Sequence, residues 1–218
     1  MPEDPTPDGC CFDEWAARNS ARVRTRGVVA PLTTRVLRTL EREGFAGRTV
    51  LDVGCGIGDL ALGAIARGAD RATGIDLSPG GIEQARLLAT ERGLADRADF
   101  VVGDGATAPL PRHDVVTLNR VLCCYPRVDQ LLANSLGAAG QIYAYTAPVD
   151  VGAIGRFNRI SVAISNTWFR LRRKKFRGFQ AYVHDLEAVD RTVAAAGFRA
   201  VHRSRERVAW RLAIFTRS

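Results

Sequence analysis

The run Val50-Leu51-Asp52-Val53-Gly54-Cys55-Gly56-Ile57-Gly58 constrains this chain more than any other stretch. Val50, Leu51 and Val53 read as a short buried strand, and glycines at alternate positions follow before Asp59 opens a helical pattern. The backbone must turn sharply there. Glycines permit positive φ and let a ligand approach where a Cβ would collide, while the amides of the next helix face outward. A nucleotide-type pocket at the end of a parallel strand is therefore expected. A dinucleotide fingerprint sets its third glycine three residues after the second, beside a pyrophosphate. Here Gly58 follows Gly56 by only two residues, and the third place is Asp59. Its carboxylate repels a pyrophosphate and attracts an ammonium or a sulfonium. With Asp52 ahead of the turn, the loop favours a zwitterionic, positively charged ligand. A glycine-rich turn in an unrelated α/β protein is the plainer alternative, and an NAD-dependent oxidoreductase is disfavoured by the spacing.

Two more apolar runs end in acids. Arg71–Asp76 closes on a carboxylate 18 residues after Gly58, near the spacing at which an acid accepts ribose hydroxyls. Phe100–Asp104 closes on another, followed by Gly105. Open α/β sheets bind ligands at the carboxyl ends of their strands, so three such acids point to one site.

On these residues the chain resembles the class I S-adenosyl-L-methionine (SAM) dependent methyltransferases, over roughly residues 48–218. The resemblance implies SAM as cofactor. Gly54, Gly56 and Gly58, with Asp52, would admit its methionine part; Asp76, with Leu77 beside it, would hold the ribose. Asp104 and Gly105 would meet the adenine edge, and Asn119 or Arg120 would lie by the donor. It also implies an α/β, Rossmann-like, doubly wound seven-stranded sheet in the order 3-2-1-4-5-7-6, with a helical cap insertion over residues 149–183.

The element pattern agrees with an alternating α/β chain. Helices are expected over Phe12–Arg24, Val29–Glu43, Asp59–Arg67, Pro79–Arg92, Val128–Leu136 and Asp185–Ala196. Strands four and five are expected at Asp114–Leu118 and Ile142–Thr146, and a closing hairpin at Phe198–Ser204 and Val208–Thr216. At 218 residues and 46% hydrophobic, one domain is the simplest reading, with 1–47 as a helical N-terminal segment. The family resemblance lets Phe12, Trp15 and Arg22 of that segment line the substrate site; docking of the helix alone is the alternative.

The start is acidic and proline-rich and no stretch is long and apolar enough to span a bilayer, so a cytoplasmic protein with reduced thiols is expected. The net charge of +8 sits in one place: residues 151–184 hold eight Arg or Lys and no acid, and the rest of the chain is balanced. There Ile154, Phe157, Ile160, Ile164, Trp168 and Leu171 recur at helical steps, with Arg172–Arg177 as a basic tail. A substrate cap with its apolar face on the domain is the first reading, favouring an acidic acceptor. Peripheral membrane contact through residues 154–177 is the second. Nucleic acid is the least favoured, since no aromatic-interleaved platform accompanies the charge.

After strand four comes Asn119-Arg120-Val121-Leu122-Cys123-Cys124-Tyr125-Pro126. This run, with Tyr182-Val183-His184 and the terminal hairpin, is similar to the branch containing magnesium-protoporphyrin O-methyltransferases, which esterify a propionate. The departure is Cys124, where that branch usually has a histidine. A small-molecule acceptor, acidic or aromatic and methylated on oxygen, is the reading these features support; a SAM-binding protein that does not methylate, cyclase-like or lipid-binding, is the alternative. A carboxylate acceptor needs no base, whereas a phenol or amine usually does, which makes His184 and Tyr125 the catalytic candidates. For His184, a capping or packing role ahead of Asp185 is the alternative. No resident metal is expected, because adjacent cysteines diverge; a thiolate site for zinc or a thiophilic substrate requires Cys10-Cys11 to meet Cys123-Cys124.

Overall fold

A computed structural model describes residues 30–172 and 179–217. The expected helix with Phe12, Trp15 and Arg22 lies outside these residues, as do Val29, the Cys10-Cys11 pair and the basic run at 173–177.

Helix α1 (Pro31–Arg42) leads into β1 (Thr49–Val53), α2 (Asp59–Ile65), β2 (Arg71–Asp76), α3 (Pro79–Glu91) and β3 (Ala98–Val102). Then come β4 (His113–Asn119), a 3-10 turn at Leu122–Cys124, α4 (Val128–Ala138) and β5 (Ala139–Pro148). Helices α5 (Gly152–Leu171) and α6 (Leu186–Ala195) precede β6 (Phe198–Glu206) and β7 (Trp210–Arg217). One seven-stranded sheet results, in the order β3-β2-β1-β4-β5-β7-β6. β7 runs antiparallel to β5 and β6, and every other pair is parallel.

Successive side chains of a strand point to opposite faces, and both faces here are covered. Val50, Ile142, Ala144, Leu212 and Ile214 face a cluster with Val36, Leu37 and Leu40 of α1, Leu60 of α2 and Ile82 of α3. Their neighbours Leu51, Tyr143, Tyr145, Ala213 and Phe215 face the other cluster, with Leu131 and Leu136 of α4 and Val189 and Val193 of α6. Tyr143 and Tyr145 are core residues whose hydroxyls are satisfied by Ser135 and Asp190. Local chemistry sets the helix starts. Ser78 Oγ accepts the Gly81 amide at 2.9 Å ahead of Pro79, and Asp185 Oδ1 accepts the amides of Glu187 and Ala188.

The structure departs from the sequence expectation at three places. α4 passes directly into β5, which is ten residues long and starts at Ala139 instead of Ile142. The hairpin turn falls at residues 207–209, where Arg207 (φ 46°) and Val208 (φ 67°) are left-handed without being glycine, so no turn signal marks it. Third, α5 does not lay its apolar face on the domain: Phe157, Ile160, Ile164 and Leu171 are 66%, 61%, 67% and 81% exposed. Only Gly155 and Asn158 of α5 are buried. Asn158 Nδ2 donates to the carbonyls of Val149 and Ala209, and Asn166 exchanges two hydrogen bonds with Ala181. The expected cap is thus a helix pinned by two asparagines with its apolar stripe facing out.

The β1–α2 turn is closely packed. Gly58 has φ 75°, and a Cβ there would come within 2.7 Å of the Phe100 ring. Gly58→Ala is expected to destabilise the protein by about 1–3 kcal/mol or more, combining left-handed strain with overpacking. Urea unfolding should show a lower midpoint with an unchanged slope.

Candidate active site

The carboxyl ends of β1, β2 and β4, with the loop after β3, surround one cavity of about 660 Å³. Asp52, near the end of β1, is buried, and Thr117 Oγ1 of β4 donates to its Oδ1 at 2.8 Å. Burial pushes its carboxyl up to about 8, with the charges of Asp59 and Asp76 adding to the shift and Thr117 and Arg120 opposing it. Asp59, at the start of α2, is likewise raised by burial, with Arg120 the main opposing influence. These acids sit where a cation would be welcome.

Asp76, the last residue of β2, grips the turn. Its Oδ2 accepts the Gly56 amide and its Oδ1 the Ser78 amide, each at 2.8 Å. Asp104 lies two residues beyond β3. It accepts the Tyr125 hydroxyl on both oxygens at 2.8 Å and the Ala106 amide at 2.9 Å, with Arg127 at 3.7 Å. Asn119, ending β4, donates to Thr33 Oγ1 of α1 and accepts from Thr146 Oγ1 of β5. Arg120 then takes a left-handed φ of 64°, and its amide donates to Thr146 Oγ1, turning the chain into the Leu122–Cys124 segment.

Of the residues singled out in the sequence, Asp52, Gly54, Gly56, Asp76, Leu77, Asp104, Gly105, Asn119 and Tyr125 all line this cavity. Gly58 does not. It lies behind the wall against Phe100 and Ala85, so its part is the turn itself and not contact with a ligand. His184 is also absent from the wall. Its Nε2 is within 2.8 Å of the Leu122 carbonyl and 3.0 Å of the Tyr125 carbonyl; carbonyls only accept, so Nε2 carries the proton. With Tyr182 stacked at 5.7 Å and donating its amide to the Cys123 carbonyl, His184 braces the 122–125 turn. This packing role replaces the catalytic one. Tyr125 reaches the cavity, but burial and Asp104 push its phenol up to about 12, so it donates a hydrogen bond and takes no proton at neutral pH.

Sequence reasoning missed Trp210, Ser78 and Leu131 in the wall. Trp210 is brought across by the pairing of β7 with β5, a long-range contact that the expected hairpin by itself does not place. Among the described residues no cluster of three or more His, Cys, Asp or Glu could hold a metal, and no helix is long and apolar enough to cross a membrane. None of α5 lines the cavity.

The raised Asp52 carboxyl makes a testable statement. Between the unfolded value of 3.8 and about 8 the folded state holds a proton that the unfolded chain has lost. Stability from this group is therefore complete below the lower value and declines as pH rises through the upper one. Asp52→Asn escapes that decline. Thermal unfolding from about pH 5 to about pH 9 should show the variant gaining on the parent as pH rises.

A methyltransferase-domain family model matches residues 50–137. The ribosomal protein L11 methyltransferase of Actinobacillus succinogenes is 33% identical over 150 residues, 66% of this chain and 51% of that protein. The chain thus spans about half the length of the curated relatives it matches. Among solved structures, magnesium protoporphyrin IX methyltransferase from Synechocystis PCC 6803 with bound SAH has a TM-score of 0.70 at 19% identity, covering 95% of this chain and 96% of that one. The [4+2]-cyclase SpnF has a TM-score of 0.64 at 19% identity, covering 84% and 80%. The small-molecule acceptor expected from the sequence is corrected by this comparison, since the curated relatives are named for a protein substrate. Fold, family model and relatives converge, and the chain carries a class I S-adenosylmethionine-dependent methyltransferase domain.

Proposed function

We propose that this chain transfers the methyl group of SAM to a carboxylate oxygen on a protein. The observation that carries the donor half is the buried Asp52 beneath a glycine turn whose amide at Gly56 is already held by Asp76. A cation-seeking carboxyl and a wall with no Cβ at Gly54 and Gly56 fit a ligand with an ammonium and a sulfonium. In this reading Gly54 and Gly56 admit the methionine part, Asp76 and Leu77 meet the ribose, and Asp104 and Gly105 border the adenine. Asn119 orients the donor end. The cofactor supplies an electrophilic methyl for in-line displacement, which leaves alignment to the protein.

The acceptor half rests on two supports. The relative at 33% identity is named for a ribosomal protein, and a cytoplasmic setting belongs to the same reading. Neither sequence candidate for a base is available: Tyr125 is spent on Asp104, and His184 on two carbonyls. An acceptor already ionised at neutral pH needs no base, and a carboxylate meets that condition. The fold shared with a [4+2]-cyclase keeps a second reading in view, a SAM-binding protein that does not methylate.

Incubation with methyl-labelled SAM and an acidic protein fraction, ribosomal proteins included, should release S-adenosylhomocysteine and leave label on protein that is lost as methanol in mild alkali. Alkali-stable label would replace the ester with an N-methyl product, and no S-adenosylhomocysteine would favour the non-methylating reading.

Binding should also be linked to protons. A cation beside Asp52 favours its ionised form, so SAM binding near neutral pH releases a proton and affinity rises with pH, levelling above about 8. Calorimetry in buffers of different ionisation enthalpy measures that release, and Asp52→Asn should abolish it.

A further inference from the structure

Cys123 and Cys124 have a geometry that adjacent residues rarely share. In a strand their side chains would point to opposite faces. Here the left-handed turn at Arg120 folds the chain back, and the Cys123 thiol and the Cys124 thiol converge on the Arg120 carbonyl at 3.3 and 3.8 Å. The two sulfurs lie 3.4 Å apart, and both line the cavity. The turn is held from outside: the Tyr182 amide donates to the Cys123 carbonyl, His184 to that of Leu122, and Thr146 Oγ1 accepts from the Arg120 amide. The dithiol is therefore preformed.

That separation is too long for a disulfide, whose sulfurs are about 2.05 Å apart, but suits two sulfurs bridged by one larger soft atom. The surroundings say which kind. Zinc in a structural site wants four ligands, and among the described residues no third His, Cys, Asp or Glu completes a cluster with the pair. A trivalent arsenical bearing one organic group needs only two thiolates. The hydrogen bond between the two thiols and the charge of Arg120 hold Cys123 below the ordinary thiol range, while that same hydrogen bond and burial push Cys124 up, so Cys123 is the thiol that attacks first. Cys55, the remaining described cysteine, is buried with its thiol pushed well up.

We propose that Cys123 and Cys124 form a vicinal dithiol site that takes a trivalent organoarsenical, or a soft thiophile of the same two-thiol demand, inside the donor cavity. With an arsine oxide the step balances without redox change. Two arsenic–sulfur bonds form, the arsenic–oxygen bond breaks, and both thiol protons leave with the oxygen as water. That the bound arsenical competes with the donor rests on the assignment of the cavity to SAM.

The test uses the full chain in a Cys10→Ser/Cys11→Ser background, which removes the other adjacent pair, with phenylarsine oxide as probe. Intact mass should show one adduct per chain that survives excess glutathione and is released by a small dithiol. Cys123→Ser, and separately Cys124→Ser and Cys124→Ala, should each weaken binding about a hundredfold through loss of the second attachment, with thermal unfolding verifying that each variant is folded. S-adenosylhomocysteine at saturation should slow adduct formation. No adduct in the background protein, equal binding in a folded single variant, or an adduct rate indifferent to bound S-adenosylhomocysteine would each overturn the proposal. If S-adenosylhomocysteine itself fails to bind, the donor assignment falls while the mass measurement still judges the dithiol.

Discussion

The Asp76 carboxylate is the constraint on which the cavity depends. One oxygen holds the amide of Gly56 and the other that of Ser78, so one side chain ties the β1–α2 turn to the entry of α3 at the end of β2. Bonds from backbone amides to an ionised acid are stronger than neutral ones, and these two fix the loop before a ligand arrives. Preformed loops of this kind reduce the ordering cost that binding must overcome. The Gly54 and Cys55 amides add to the same anchor by donating to the Ile75 carbonyl, one residue earlier on β2.

Around that anchor the site gathers carboxyl groups in a partly dry place. Asp52 and Asp59 are buried enough to resist ionisation, and Arg120 is the cation that moderates both. The arrangement stores an electrostatic demand that a positively charged ligand answers. Asp104 belongs to a different regime, partly buried and already bonded to Tyr125, Ala106 and Arg127. The far end of the cavity is therefore set by hydrogen bonding and the near end by desolvation.

The glycine edge of the cavity was legible in the sequence because its determinants are local. Glycine spacing, strand-terminal acids and helix caps act within a few residues, and the alternation of Val50 and Leu51 between faces follows from the pleat. The opposite side was not, because its determinants are long-range. Trp210 reaches the wall through pairing of β7 with β5, and His184 is spent on carbonyls some 60 positions away in sequence, at Leu122 and Tyr125. The helical period of α5 was readable, but a period says that an apolar stripe exists and not what covers it. Left-handed Arg207 and Val208 carry no turn signature at all, so the hairpin was placed too early.

The seam between α4 and β5 has a consequence for how this architecture can diversify. Helix gives way to strand from Ala138 to Ala139 with no intervening residue, and a Cβ at Gly140 would strike the backbone of His113 at 2.9 Å. Chain length is frozen at that point, since an extra residue would shift β5 against β4 and turn its inward tyrosines to the wrong side. Growth and loss of sequence are steered instead to the stretch following β5, where an inserted helix touches the body at few points. Residues gained or lost there leave the register of the sheet unchanged.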